Sequence, residues 1–325
     1  MAGLRPSGTR ARSVASASQL GPFLLLALAA ACGRGEIPPG PLSIGARVAE
    51  ALEPHDLGPA SVRVLGRETA LDHQAFTLEV SATDGAGIPV QRLSPLGDEP
   101  RPGILLLHGH DLDGRWWTSP EAGGLALRLV ELGFEVLMPD LRSFGAFAAR
   151  GHYGADGWPA ALRAEGDHYV RVAANDARRV LALLREDPEV TELAVMGQSL
   201  GAWLALVVAT VEPDVDTLIS SGLFLPFDVL FSEAHHDCQH MTALAGPGDA
   251  PAWVAELLGR ARVQIHWGEQ DPLYPLGGPE ALDALRGLAS EALEDGRLEI
   301  RRTPGLGHAL EPEAHLAFLR ATSGR

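Results

Sequence analysis

The stretch Leu193-Ala194-Val195-Met196-Gly197-Gln198-Ser199-Leu200-Gly201 is an apolar run that ends on a serine flanked by two glycines, and a helical pattern, Ala202 to Val211, leaves it. A strand that turns sharply into a helix needs glycine two residues before and two after the corner. A Cβ at either place would collide with the turn or with the packed helix. Ser199 is therefore a candidate nucleophile. The bland alternative is a glycine-flanked turn serine without chemistry, so the other loops must decide.

Two of them carry matching residues. The run Arg262 to Trp267 has the character of a buried strand and opens into Gly268-Glu269-Gln270-Asp271-Pro272, which presents Asp271 at a strand end. A second strand-like run, Arg297 to Arg302, leads into Thr303-Pro304-Gly305-Leu306-Gly307-His308. Upstream, Ile104 to Leu107 ends in His108-Gly109-His110, and Phe134 to Met138 ends in Pro139-Asp140-Leu141-Arg142-Ser143-Phe144-Gly145. Continuous apolar runs of this kind are expected of parallel strands buried on both faces, and ligands bind beyond the carboxyl ends of such strands. The polar residues named so far converge on one rim.

Ser199, Asp271 and His308 follow the order nucleophile, acid, histidine. In this order, in the elbow glycines, in the His-Gly turn and in the Pro-Asp-x-Arg-x-x-Gly stretch, the chain resembles the α/β-hydrolase superfamily over roughly residues 60 to 322. Asp176-Ala177-Arg178-Arg179 and His236-Asp237-Cys238 are similar to the dienelactone-hydrolase and acetyl-xylan-esterase branch. The resemblance implies an α/β fold with a mostly parallel doubly wound sheet. It also implies an oxyanion hole made by the backbone amides of Leu200 and of His110 or, one residue on, Asp111.

Around that sheet, the alternation in His73 to Ala82 and Ile88 to Leu93, across the turn Asp84-Gly85-Ala86-Gly87, predicts an antiparallel hairpin. Helical patterns run over about Glu121–Leu132, Tyr169–Arg185, Ala202–Val211, Pro279–Leu293 and Glu311–Ala321. Two aromatic-rich segments, Arg142 to Glu165 and Ser221 to Leu258, exceed the minimal alternation and start at the rim. They supply Phe144, Trp158, Phe224 and His236 as candidate substrate-binding residues. A satellite core is the plain alternative for each.

The amino-terminal residues read differently. Arg5, Arg10 and Arg12 precede an apolar stretch, Phe23 to Ala31, too short to span a bilayer, and Ala29-Ala30-Ala31 precede Cys32. This predicts a signal peptide over 1–32. The triplet before cysteine resembles a lipoprotein lipobox, which would make Cys32 a lipidated mature terminus in a bacterial cell envelope; plain export is the alternative. Residues 33–60, rich in proline, read as a tether, and 61–325 as the hydrolase domain.

All 26 basic residues are arginine, which excludes Schiff-base lysine and P-loop chemistry, and the net charge of −16 disfavours nucleic acid and anionic membrane surfaces. No cofactor is expected. His235, His236, Asp237 and His240 crowd together, but a zinc site needs further ligands at defined geometry, so no metal is assigned. Cys238 reads as a small buried residue. The expected function is hydrolysis of a carboxylic ester, with a short acyl group such as acetyl on an exported small-molecule or carbohydrate substrate, through an acyl-enzyme. The alternatives are a serine peptidase of the prolyl-oligopeptidase type, a lipase or acyltransferase, and a non-enzymatic lipoprotein on a hydrolase fold.

Overall fold

In a computed structural model of the chain, the described residues are 43–53, 57–148, 150–232, 237–246 and 248–322. The expected leader with Cys32, and His236, lie outside them. The apolar runs become central strands: β4 Arg101–Leu107 and β5 Glu135–Pro139 are buried throughout, as are β7 Thr217–Ser221 and nearly all of β8 Arg262–Gly268. With β1 Val62–Thr69, β2 His73–Ser81, β3 Gly87–Pro95, β6 Val190–Gln198 and β9 Leu298–Thr303 they form one nine-stranded sheet, ordered β1-β2-β3-β5-β4-β6-β7-β8-β9. The strands from β5 through β9 in that order pair in parallel, whereas β1, β2 and β3 pair antiparallel and β3 joins β5 antiparallel. The predicted hairpin is thus β2 and β3, extended outward by the largely exposed β1.

The junction between the two halves is fixed electrostatically. Glu135 of β5 is fully buried and accepts from Arg92 Nε at 2.6 Å, Ser94 Oγ at 2.6 Å and Arg101 Nε at 3.0 Å. A buried carboxylate is stabilised by charge-assisted donors of this kind.

Helices cover both faces. They are α1 Ile44–Leu52, α2 Leu125–Glu131, α3 Trp158–Ala164, α4 Tyr169–Arg185, α5 Leu200–Val211, α6 Phe227–Leu230, α7 Ala250–Leu257, α8 Gly278–Leu288, α9 Ser290–Glu294 and α10 Pro312–Thr322. Side chains along β4 alternate, so Leu105 and Leu107 join the core shared with α4 and α5, while Ile104 and Leu106 join the core shared with α2 and α10. Both inserted segments hold short helices: α3 follows β5, and α6 and α7 follow β7.

Three expectations need correction. The tether over 33–60 does not describe residues 44–52, which form α1. Val48 and Leu52, four apart, are fully buried against the core. Ser43 caps this helix, and the Glu256 carboxylate accepts from the amides of Ile44 and Gly45 at 2.8 and 3.0 Å, where a helix start favours negative charge. The helix expected from Glu121 starts at Leu125, because Gly123 and Gly124 adopt φ of 63° and 59°. The helix expected over 279–293 is broken at Ala289 into α8 and α9.

Candidate active site

Ser199 sits between β6 and α5 with φ 54° and ψ −119°, a backbone conformation that L-residues rarely adopt. The flanking glycines have the role their spacing predicts. A Cβ on Gly197 would lie 1.9 Å from the carbonyl oxygen of Gly201, and one on Gly201 would lie 2.0 Å from that of Leu107. The Ser199 amide donates to Ser221 O at 2.8 Å, tying the corner to the end of β7. Ser199 is 7% exposed, and among the described residues no backbone carbonyl outside the helix accepts from the Leu200 amide.

The second and third expected residues meet. His308 Nδ1 donates to Asp271 Oδ2 at 2.7 Å, the Asp271 side chain being fully buried and that of His308 28% exposed. Asp271 Oδ1 also accepts from the Leu273 amide at 2.9 Å. The loops bearing these two residues interlock, with Gln270 N donating to Leu306 O at 2.8 Å and Gly268 packed so closely that a Cβ would lie 2.0 Å from Gly307 O. Gly222, next to Ser221, packs on the pair: a Cβ there would be 3.1 Å from His308 Cε1 and 3.6 Å from Asp271 Oδ2. Among the described residues no hydrogen bond joins the Ser199 hydroxyl to His308; such contacts commonly close only around substrate.

The loop after β4 faces the same corner. A Cβ on Gly109 would lie 2.2 Å from Gln198 Oε1 and 3.1 Å from Ser199 Cβ, so Gly109 permits the approach of the segment that bears His110. His108 anchors it. Its Nδ1 donates to Gly109 O at 2.8 Å and its Nε2 accepts from the Leu141 amide at 2.9 Å. Burial pushes its pKa down to about 4, so the ring is neutral and clamps the loops after β4 and β5 together.

The Pro-Asp-x-Arg-x-x-Gly stretch has a structural role. Asp140 accepts from the amides of Gly114 at 2.8 Å and Ala146 at 2.7 Å, and Gly145, at φ 53°, leaves room where a Cβ would lie 2.5 Å from that carboxylate. Arg142 is 1% exposed, pairs with Asp84 at 2.6 Å and Asp176 at 2.5 Å, and lies over the rings of Phe147 and Trp158. Burial alone would lower its pKa; the two carboxylates outweigh burial, and the guanidinium is held charged. Asp176 of the Asp-Ala-Arg-Arg stretch is thus the partner of Arg142.

Of the candidate substrate-binding residues, Phe144 borders a groove of about 560 Å³ that is also lined by Asp111, Trp116, Ser143 and Ala148. The Trp158 ring lies against Arg142, and Phe224 is 2% exposed within the main core. A hollow of about 390 Å³, bordered by Glu192, Asp216, Arg262 and Arg297, lies at the opposite, amino-terminal strand ends. The three non-glycine residues with positive φ among those described, Asp111, Ser143 and Ser199, all follow the carboxyl ends of β4, β5 and β6. Their shared position marks one rim as the place where strain is kept.

Sequence reading did not foresee what Cys238 touches. Its Sγ lies 3.0 Å from His110 Nε2, and the His110 ring packs edge-on against His152, with centroids 5.1 Å apart. The residues are distant in the chain, and neither the His-Gly turn nor the His-Asp-Cys stretch indicates that they meet.

No family model and no curated protein matches the chain. Among solved structures, a Bacteroides fragilis protein described as a candidate acetyl xylan esterase superposes with a TM-score of 0.68 at 14% identity, covering 86% of each chain. Acetyl xylan esterase 1 from Thermoanaerobacterium sp. JW/SL YS485 superposes with a TM-score of 0.58 at 19% identity, over 86% of this chain and 93% of that one. A glucuronoyl esterase from Solibacter usitatus gives 0.62 at 15% identity, over 86% and 91%. With the strand order and the elbow described above, these likenesses establish that the chain has the α/β-hydrolase fold.

Proposed function

We propose that the protein is a serine hydrolase that cleaves a carboxylic ester through an acyl-enzyme. The observation that carries this reading is the Asp271–His308 hydrogen bond on the rim that also holds the strained Ser199. With Nδ1–H directed at Asp271, His308 keeps Nε2 as a base for the Ser199 proton, and Asp271 stabilises the cation that forms. Ser199 Oγ then attacks the ester carbonyl. The amides of Leu200 and His110 are the donors for the oxyanion, and the strained elbow keeps the first of them at a helix start with no backbone acceptor from outside the helix among the described residues. The alcohol leaves with the proton from His308, and water repeats the sequence to release the acid.

The acyl group is short, acetyl being the type case, and the alcohol is a carbohydrate or similar exported small molecule. Esterases named for acetyl xylan and for glucuronoyl groups are among the proteins of similar fold. The chain is exported and held at the cell envelope through a lipid on Cys32; among the described residues no helix is long and apolar enough to cross a membrane.

Hydrolysis of p-nitrophenyl esters from acetate to palmitate, run beside Ser199→Ala, tests the reading. The expected result is turnover of acetate and butyrate only, falling by on the order of 10⁵–10⁶ in the folded variant. Substantial residual cleavage by Ser199→Ala rejects Ser199 as the nucleophile, and inactivity on every ester with turnover of aminoacyl amides rejects the ester assignment.

A further inference from the structure

Three loops that the hydrolytic reading does not connect bring two imidazoles and a thiol together. His110 comes from the loop after β4, His152 from the segment after β5, and Cys238 from the segment after β7. One donor atom from each lies within 4.8 Å of the others, and His110 Nε2 is 3.0 Å from Cys238 Sγ. His152 is 7% and Cys238 1% exposed, and Phe144 and Tyr169 pack on the His152 ring with centroids 4.4 and 5.0 Å away.

We propose that His110, His152 and Cys238 form a binding site for a thiophilic divalent cation, zinc being the type ion. The donor set decides the class: a thiolate with two neutral imidazoles suits zinc and disfavours magnesium and calcium, which take oxygen ligands. The spacing agrees. A tetrahedral zinc about 2.0–2.1 Å from nitrogen and 2.3 Å from sulfur holds its donors roughly 3.3–3.7 Å apart. The present separations, from 3.0 Å to at most 4.8 Å, bracket that range, so side-chain rotations of about an ångström close the site. Binding releases the Cys238 thiol proton to solvent, and the thiolate and both ring nitrogens donate their lone pairs to the ion. Three protein donors leave a fourth tetrahedral position for water.

The ion would cross-link both inserted segments to the loop whose His110 amide serves the oxyanion. That consequence for turnover rests on the ester reading; the binding itself does not.

The test uses the purified full chain, stripped with a chelator and titrated with zinc alone. Metal content, the melting temperature with and without zinc, and the thiolate charge-transfer absorption of the cobalt-substituted protein are measured. One zinc per chain, a zinc-dependent rise in melting temperature and the cobalt band are expected. In Cys238→Ser and His152→Gln, affinity should fall more than about 100-fold, beyond the loss typical of a supporting residue. Circular dichroism checks that each variant is folded, with Cys238→Ala replacing a serine variant that is not. Ser199→Ala should bind zinc like the unaltered chain, so failure of the ester reading leaves this result standing. A folded chain that takes up no zinc, or folded variants that bind it equally well, overturns the site.

Discussion

The elbow and the inserted segments border the same rim but are held by different forces. Around Ser199 the fit is backbone against backbone, with Gly197 and Gly201 each leaving no room for a methyl group. The segments after β5 and β7 are held by side chains instead: the Arg142 ion pairs and ring contacts, the Tyr169 hydroxyl on Arg142 O at 2.6 Å, and the contact between His110 and Cys238. Close-packed backbone cannot yield without moving two strands, whereas side-chain contacts can be exchanged one at a time. The arrangement keeps Ser199 fixed while the walls around it remain substitutable.

The contrast is sharpened most by the Asp271 carboxylate behind the proposed base, His308. Asp271→Asn should lower kcat on p-nitrophenyl acetate by about 10⁴ with the fold intact, because an amide favours the wrong imidazole tautomer. A loss below tenfold would mean that the Asp271–His308 contact is structural only.

Next comes the backbone packing itself. Gly201→Ala should destabilise by about 3–5 kcal/mol, since the new methyl group meets two backbone carbonyls that cannot move apart cheaply. Gly151→Ala, in an inserted segment where a Cβ meets nothing, should stay within about 0.5 kcal/mol. Urea unfolding of the pair decides the matter: similar midpoints would erase the distinction between the two regions.

A smaller effect comes from the clamp that joins them. His108 has its folded pKa lowered to about 4 from an ordinary 6.5, so below pH 6.5 the unfolded chain binds a proton that the folded chain does not. Stability is therefore fully present above pH 6.5 and is lost as pH falls toward 4, by up to about 3 kcal/mol for this ring. Buried His266, lowered to about 4 and bonded to Ser221 Oγ at 2.9 Å, adds in the same direction. Melting temperatures between pH 7.5 and 4.5 should fall, and less steeply in His108→Asn. An equal slope in that variant would show that His108 is not held neutral.

What could be read in advance followed the range of the constraint. The elbow, the central strands and the helix Tyr169–Arg185 obey rules spanning only a few residues: periodicity, and glycine where a Cβ has no place. α1 escaped the reading because its short apolar pattern lies among prolines, and its burial depends on α5, whose Thr210 carbonyl leaves no space for a Cβ on Gly45. Asp176 and Arg142 were each visible as parts of motifs, but their pairing across 34 positions was not.

The sequence alone determined the order of Ser199, Asp271 and His308, the strand-to-helix corner and the parallel core, because each is encoded by neighbours along the chain. Only the tertiary structure decided that Asp84 and Asp176 share Arg142, and that His110, His152 and Cys238 meet. Such contacts close loops of tens of residues, and nothing local in the chain specifies which distant partner a side chain will reach.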